Sequence, residues 1–412
     1  MKTRLKGLIV GGGIGGLATT IALRQIGVEA RVFERDAQAR DGGAGLSLWP
    51  NGLRALDSIG VGGAVRARGV RDLDSALRTW HGRVLVAANG AALQRLLGDV
   101  SLVVRRGDLL DLLRSRLPAD AVVQGAQLTD IQDDESGVTA RFANGTTAEG
   151  DFLVGADGIH SAVRAHLVGA ATADYAGYTA WRGVTVFDHR RLLPGVSIGR
   201  GCQFGQAPMA DGRVYWFATQ NGPSRRPRPA SGWKETLHSL FAAWHAPIPQ
   251  LIAATEPSAI LHNDIYDREP LATWGAGRVT LLGDAAHPMT PNLGQGANQA
   301  LEDAEAFARA IAAEASGASS HRARASAVAR ARHQYQVARL ARANAVVVQS
   351  RRVGRVMQLA NPAACWLRDR LLSTSYANRA QMSQLRRLVA AEPTSPPAAP
   401  TTTFPHAPRS VT

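Results

Sequence analysis

The sequence predicts an α/β protein: a doubly wound nucleotide-binding domain, interrupted by a β-sheet-rich domain and closed by C-terminal helices. Three observations carry this. A strand, a glycine loop, a helix and a second strand follow one another at the N-terminus; alternating strand patterns dominate from about 175 to 265; and an Ala/Arg-rich helical pattern runs from Gln295 to about Leu388.

In chain order, "LKGLIV" (5–10) reads as a buried strand, "IGGLATTIALRQIG" (14–27) as a helix ending at Gly27, and "VEARVFERD" (28–36) as the next strand. Short helices are expected at 50–60 and 107–117, the latter with Asp108 in its first turn. A hairpin is expected within 121–150, turning at Asn144-Gly145. "DFLVG" reads as a buried strand, "RVYWFATQ" (213–220) as a strand of the β-rich part, and 233–245 as its one helix. "GRVTLLGD" (277–284) returns to the buried-strand type, and the final helical stretch breaks at 361–363. The expected division is 1–174 and 268–345 for the nucleotide-binding domain, 175–267 for the β-rich domain, 346–390 for the last helices, and 391–412 for a Pro/Thr-rich tail without fixed structure.

Bulk composition narrows the function classes. The chain has 412 residues, 45% hydrophobic and 19% charged, as expected for a globular protein with a large core. Cys202 and Cys365 make no disulfide framework, so a reducing, cytoplasmic setting is expected. No apolar run approaches the roughly 20 residues that span a bilayer. The basic, apolar start does not read as a signal peptide, because five of residues 11–16 are glycine. The net charge of +14 comes mostly from scattered arginines, with no aromatic-interleaved basic stretch, so nucleic acid is not expected as a partner. No metal is expected, since no HxxxH or CxxC cluster is present.

Three glycine-and-acid segments carry the chemistry. In the first, Gly11, Gly13 and Gly16 form G-x-G-x-x-G between a strand and a helix: Gly11 for the turn, Gly13 for close approach of a pyrophosphate, Gly16 for helix–strand packing. Glu34 follows Gly16 by eighteen residues, where an acid accepts hydrogen bonds from ribose hydroxyls. The second, "GADGIHSAVR", puts Asp157 at a strand-to-helix turn, where capping the helix is its ordinary role. The third, "GDAAHPMTPNLGQG", ends a strand at Asp284 and brings backbone N–H groups and a helix start to one place.

Together these motifs resemble the single-component FAD-dependent aromatic hydroxylases, the class A flavoprotein monooxygenases related to para-hydroxybenzoate hydroxylase. "GAGLSLWPNGLRAL", "AGYTAWRGV" and "GRVYWFAT" look like the branch holding salicylate hydroxylase, FAD-dependent urate hydroxylase and zeaxanthin epoxidase. The resemblance runs from residue 3 to about 375. It implies a Rossmann-like FAD-binding domain of the glutathione-reductase type (GR2). It also implies the cofactors FAD and NAD(P)H, and a reaction in which reduced flavin and O2 form a C4a-hydroperoxide that hydroxylates an aromatic or heteroaromatic molecule. Epoxidation or another oxidation of a non-phenolic hydrophobic substrate is the alternative.

Residue by residue, the resemblance implies that Gly11, Gly13, Ile14, Gly15 and Gly16 hold the pyrophosphate and that Glu34, with Arg35 beside it, holds the adenosine ribose. Arg106 would reach the FAD, Asp157 would touch it indirectly, and Asp284 would bind its ribityl or ribose hydroxyls. Pro291 and the backbone of Gly294, Gln295, Gly296 and Ala297 would border the isoalloxazine. The arginine that grips urate in the urate hydroxylase falls near Gln203 and its acid at Asn292, so the likeness does not extend to the urate pocket. For catalysis, Tyr215 is a candidate base toward a phenol and Arg182 a candidate for an anionic group or a structural ion pair. His287 reads as a structural histidine and Cys202 as a small apolar residue. The expected partners are O2 and a small, planar, hydrophobic aromatic substrate. No membrane insertion is expected, and the chain is expected to be a monomer or homodimer.

Overall fold

The computed structural model describes residues 4–38, 44–71, 74–225, 227, 229, 232–315 and 320–390. The elements that position the site are strands β1 (Lys6–Val10) and β2 (Glu29–Phe33), then β3 (Ser75–Thr79), β4 (Val84–Ala88) and β5 (Phe152–Gly155). They continue with β6 (Asp174–Val186), β7 (Gly195–Ile198), β8 (Cys202–Pro208), β9 (Arg213–Asn221), β10 (Leu261–Asp267) and β11 (Val279–Leu281). The helices are α1 (Ile14–Gln25), α2 (Pro50–Ser58), α3 (Arg106–Arg114), α4 (Ala162–Val168), α5 (Gly296–Ala315), α6 (His321–Met357), α7 (Pro362–Leu372) and α8 (Ser375–Val389).

A six-stranded sheet forms the first layer. Its parallel centre runs β11, β5, β1, β2, with β1 between β5 and β2. Apart from exposed Lys6, Glu29 and Arg31, these strands are mostly apolar, because α1 and α5 cover one face and the 128–150 meander lies against the other. The expected hairpin is there, turning through Gly145 at φ +83°. Both strands expected to reach an acid stop short of it. β2 ends at Phe33, just before Glu34, and β11 ends at Leu281, leaving Asp284 on a short 3-10 turn at Gly283–Ala285.

The second layer is a seven-stranded sheet in the order β10, β6, β9, β8, β7, β3, β4, antiparallel except where β7 meets β3. The β3–β4 hairpin pairs here although its residues precede the 175–267 stretch. One face packs Trp181, Phe204, Val214 and Trp216 against Trp233–Phe241 and Ile248–Ala254, two helices where one was expected. The opposite face looks toward the first layer.

The helical C-terminal pattern is divided further than its sequence suggests. Ser320 caps α6 through Ala323, Asn361 caps α7 at the expected break, and residues 373–374 separate α7 from α8. The 391–412 tail lies outside the described residues.

Candidate active site

The glycine loop is shaped by close backbone contacts. At Gly11, with φ +107°, a Cβ would sit 2.3 Å from the Ala156 carbonyl oxygen; at Gly16 it would sit 1.9 Å from the Gly11 carbonyl oxygen. Gly13 differs: a Cβ there would meet nothing within 4 Å. Its open side lies at the start of α1, where Gly13 caps without a side chain and the first N–H groups point outward. Ile14 is buried, and at Gly15 a Cβ would fall 2.8 Å from Leu282, so α1 also packs close to the third motif.

Glu34 stands beside this loop. Its carboxylate accepts from the Gly12 N–H at 2.6 Å and from the Asp36 N–H at 2.9 Å. Each oxygen keeps a second acceptor position. Arg35 is exposed on the outside and pairs with Asp36 at 4.0 Å.

The second motif ties elements together. Asp157 accepts from the Ser161 hydroxyl at 2.5 Å and from the Ala162 and Val163 N–H groups at 2.8 and 3.2 Å, so its carboxylate serves the start of α4. Burial pushes its carboxyl up, against those hydrogen bonds. Arg164, on α4, donates to the Ala285 and Ala286 carbonyls at 3.2 and 3.1 Å and so grips the third motif. Burial lowers its guanidinium to about 10.

Asp284 is exposed at the Gly283–Ala285 turn, although many protein atoms stand around its carboxyl. Burial pushes its carboxyl up, while His287 and Arg106 pull it down. Arg106 opens α3 and is lowered by burial, with Asp284 opposing and Arg182 adding to the shift. A Cβ at Gly296 would lie 3.8 Å from Asp284 Oδ1, which brings the start of α5 against the acid.

Beneath Asp284 lies a buried polar network. Asp303 accepts from the Gly283 N–H at 3.0 Å and lies 2.6 Å from His287 Nε2 through one oxygen; the other takes Arg339 Nε at 2.8 Å. Arg339 also donates to Glu302 at 2.9 Å and to Gln299 Oε1 at 2.8 Å. Asp303, His287 and Arg339 are all buried, which agrees with a structural His287.

The loop before α5 makes a short 3-10 turn at Pro291–Leu293, with Pro291 exposed and Gly294 at φ +60°. Gln295 is buried; its Oε1 accepts from Asn51 Nδ2 at 3.0 Å and from Gln299 Nε2 at 3.1 Å, while its Nε2 has no partner within the protein. Ala297 is half-buried on the first turn of α5. Asn298 accepts from the Trp49 N–H at 2.9 Å and donates to the Ser47 and Gly294 carbonyls at 3.1 and 2.9 Å. It clamps this loop to the strand before α2.

Tyr215 and Phe217 stand on the inner face of the seven-stranded sheet, lining a cavity of about 1720 Å³ with Gln203, Trp49, Asn292 and Leu293. Burial pushes the Tyr215 hydroxyl up; Arg182, which hydrogen-bonds it, pulls the other way. Arg182 also donates to Asn263 Oδ1 at 3.2 Å. Among the described residues it forms no ion pair with a carboxylate, so its structural partners are neutral groups. Gln203 Nε2 donates to Gln358 Oε1 at 3.0 Å, and Asn292 Oδ1 accepts from the Tyr178 hydroxyl at 2.8 Å. Cys202 is a partly buried thiol outside any disulfide, and the described residues hold no group of three or more potential metal ligands.

The structure thus brings the glycine loop, Glu34, Asp284, Arg106 and the start of α5 along one edge, with Tyr215 and Arg182 facing them. It directs Asp157 to a helix start and Arg35 to solvent. Sequence reasoning missed Asn298, Asp303 and Arg339. Asn298 and Asp303 fall in a polar run of α5, which does not by itself show what they pair with, and Arg339, on α6, carries no local signal.

Known proteins resemble nearly the whole of this chain. A family model described as FAD binding domain matches residues 4–350. The chain is 40% identical to the aurachin C monooxygenase/isomerase of Stigmatella aurantiaca, over 94% of this chain and 99% of that protein. It is 35% identical to the 3-amino-4-hydroxybenzoate 2-monooxygenase of Streptomyces cremeus, over 88% and 90%. Klebsiella pneumoniae HpxO, solved in complex with FAD and uric acid, superposes with a TM-score of 0.87 at 28% identity, covering 96% of this chain and 99% of that one.

Proposed function

The chain belongs to the FAD-binding-domain family of flavoprotein monooxygenases acting on aromatic compounds, and we propose that it uses NAD(P)H and O2 to oxygenate an aromatic or heteroaromatic ring held in the cavity. One observation carries the reading. The Arg106 N–H donates to the Ala44 carbonyl at 3.0 Å, and at the next residue, Gly45, a Cβ would sit 2.4 Å from the Tyr215 ring on the cavity wall, while Asp284 acts on Arg106 from the other side. The acid on the cofactor side and the wall on the substrate side are therefore neighbours.

The residues fit FAD. Gly13 leaves room where a side chain would block a pyrophosphate, beside uncapped N–H groups of α1. Glu34 has acceptor positions left for ribose hydroxyls. Asp284 offers a carboxyl to a hydroxyl-bearing chain, with Arg106 alongside. The buried Gln295 Nε2 and Trp49 Nε1, donors without a protein partner, lie around the loop expected to border the ring.

In this reading Gly11 to Gly16 hold the pyrophosphate, Glu34 the adenosine ribose, and Asp284 and Arg106 the ribityl side. Pro291, Gly294, Gly296 and Ala297 shape the ring's border. Bound there, FAD supplies the electron transfer from NAD(P)H and the activation of O2. The protein orients the substrate and keeps the cavity dry. With its pKa pushed up, Tyr215 is a neutral phenol near neutral pH. It therefore holds a ring substituent by hydrogen bonding, and Arg182 polarises its hydroxyl.

The test is purification followed by oxygen consumption with NADH or NADPH across a phenol and heteroaromatic panel. The expected result is a yellow protein whose NAD(P)H oxidation is stimulated by an aromatic compound, giving a product one oxygen heavier. A colourless protein that takes up no FAD, or an oxidation rate that no aromatic alters, contradicts the proposal.

A further inference from the structure

The cavity is larger than an aromatic ring needs. At about 1720 Å³ it exceeds the roughly 300–1,000 Å³ usual for small-molecule sites. Gly13, Glu34 and Asp284 do not line it; Trp49, Asn292 and Leu293, beside the expected border of the ring, form one end, and the volume runs from there along the seven-stranded sheet.

Its shape follows from sheet order. The lining begins at Tyr215 and Phe217 on β9 and continues over β8, β7, β3 and β4. Four strand spacings of roughly 4.8 Å make a span of about 19 Å. Opposite lie α6, the end of α7, and α8.

The two ends differ in chemistry. Near Tyr215 the polar groups are Arg182, which bonds its hydroxyl, and the amides of Gln203 and Asn292, each already bonded to the protein. Beyond them the walls are aliphatic: Leu77, Val86 and Val196 from the sheet, Val353, Met357 and Leu372 from the helices. The charged residues among the described lining are all arginines, and Arg352, Arg379 and Arg387 are exposed at its edge. No carboxylate is among them.

Resting on the proposed monooxygenase reading, we propose that the substrate is an aromatic or heteroaromatic ring bearing an extended hydrocarbon substituent. The ring lies at Tyr215, and the substituent lies in the aliphatic channel between the β7–β3–β4 edge and α6–α8. Ring recognition by polar groups and tail burial by aliphatic walls divide the binding energy between the two ends.

The experiment uses the FAD-loaded protein and 4-ethyl-, 4-butyl-, 4-hexyl- and 4-octylphenol, with Kd read from the change in flavin absorbance on binding. Each added methylene is expected to tighten binding roughly two- to fourfold, so octylphenol binds at least about fiftyfold more tightly than ethylphenol. Val353→Trp, which fills the channel, and Leu77→Asp, which charges its wall, are each expected to collapse that octyl-to-ethyl ratio. Equal affinity along the series, no octylphenol binding, or a ratio both variants leave intact overturns the proposal. Failure of the monooxygenase reading looks different: chain-length-dependent binding would persist without NAD(P)H-driven oxidation of any compound.

Discussion

Replacing Asp303 by Asn changes one buried charge and almost no volume. In the native protein that carboxylate takes Arg339 Nε at 2.8 Å, the Gly283 N–H at 3.0 Å and His287 Nε2 at 2.6 Å, all without exposure. Burial alone would push the Asp303 carboxyl up; His287 and Arg339 outweigh it and hold it at about 2. Against its ordinary value of 3.8, that depression stabilises the fold by on the order of 2 kcal/mol at neutral pH. The substitution costs somewhat more, about 3 kcal/mol, because Arg339 stays buried with one carboxylate fewer, although Glu302 still holds it. Because the folded-state value is the lower one, the stabilisation is complete above the ordinary value and is lost as pH falls toward about 2. Asn does not titrate. The gap between Asp303→Asn and wild type in urea unfolding is therefore widest near pH 7 and narrows as pH drops below about 4. A gap under about 1 kcal/mol at pH 7, or one that does not change in acid, refutes the assignment of this network as the support beneath Asp284.

Two further substitutions separate site from scaffold. Gly13→Ala is expected to leave unfolding within about 1 kcal/mol of wild type, since its Cβ meets nothing within 4 Å, while FAD affinity falls at least about tenfold. Gly16→Ala forces a Cβ to 1.9 Å from the Gly11 carbonyl and is expected to cost both stability and flavin, as urea midpoint and bound absorbance will show. Tyr215→Phe is expected to keep full flavin content and lower kcat for hydroxylation roughly ten- to hundredfold in steady-state assays; an unchanged kcat would remove Tyr215 from the reaction.

The sequence was most legible where function depends on consecutive residues. The glycine loop needs backbone approach within six positions, and Asp284 to Ala297 lies in one short segment, so spacing alone located both. It was less legible where distant segments meet. Asp303 and Arg339 are separated by 36 positions, and nothing local marks either as half of a buried pair. Arg164 bonds carbonyl oxygens, which carry no residue identity, so its grip on the third motif leaves no trace in composition. The β3–β4 hairpin alternates like any surface hairpin, and only its pairing with β7 assigns it to the seven-stranded sheet. Asp157 shows a different difficulty: one carboxylate suits a helix start and a ligand equally, and the geometry commits it to α4.

The central claim is that the third motif exists to present Asp284 to FAD, and flavin retention by Asp284→Ala measures this most directly. Wild-type protein is expected to carry close to one FAD per chain. The variant, losing hydrogen bonds to a carboxylate at about 1.5–3 kcal/mol each, is expected to bind FAD roughly ten- to hundredfold more weakly, with unfolding of the flavin-free forms little changed. Equal flavin content and an unchanged FAD Kd in the variant would contradict the account.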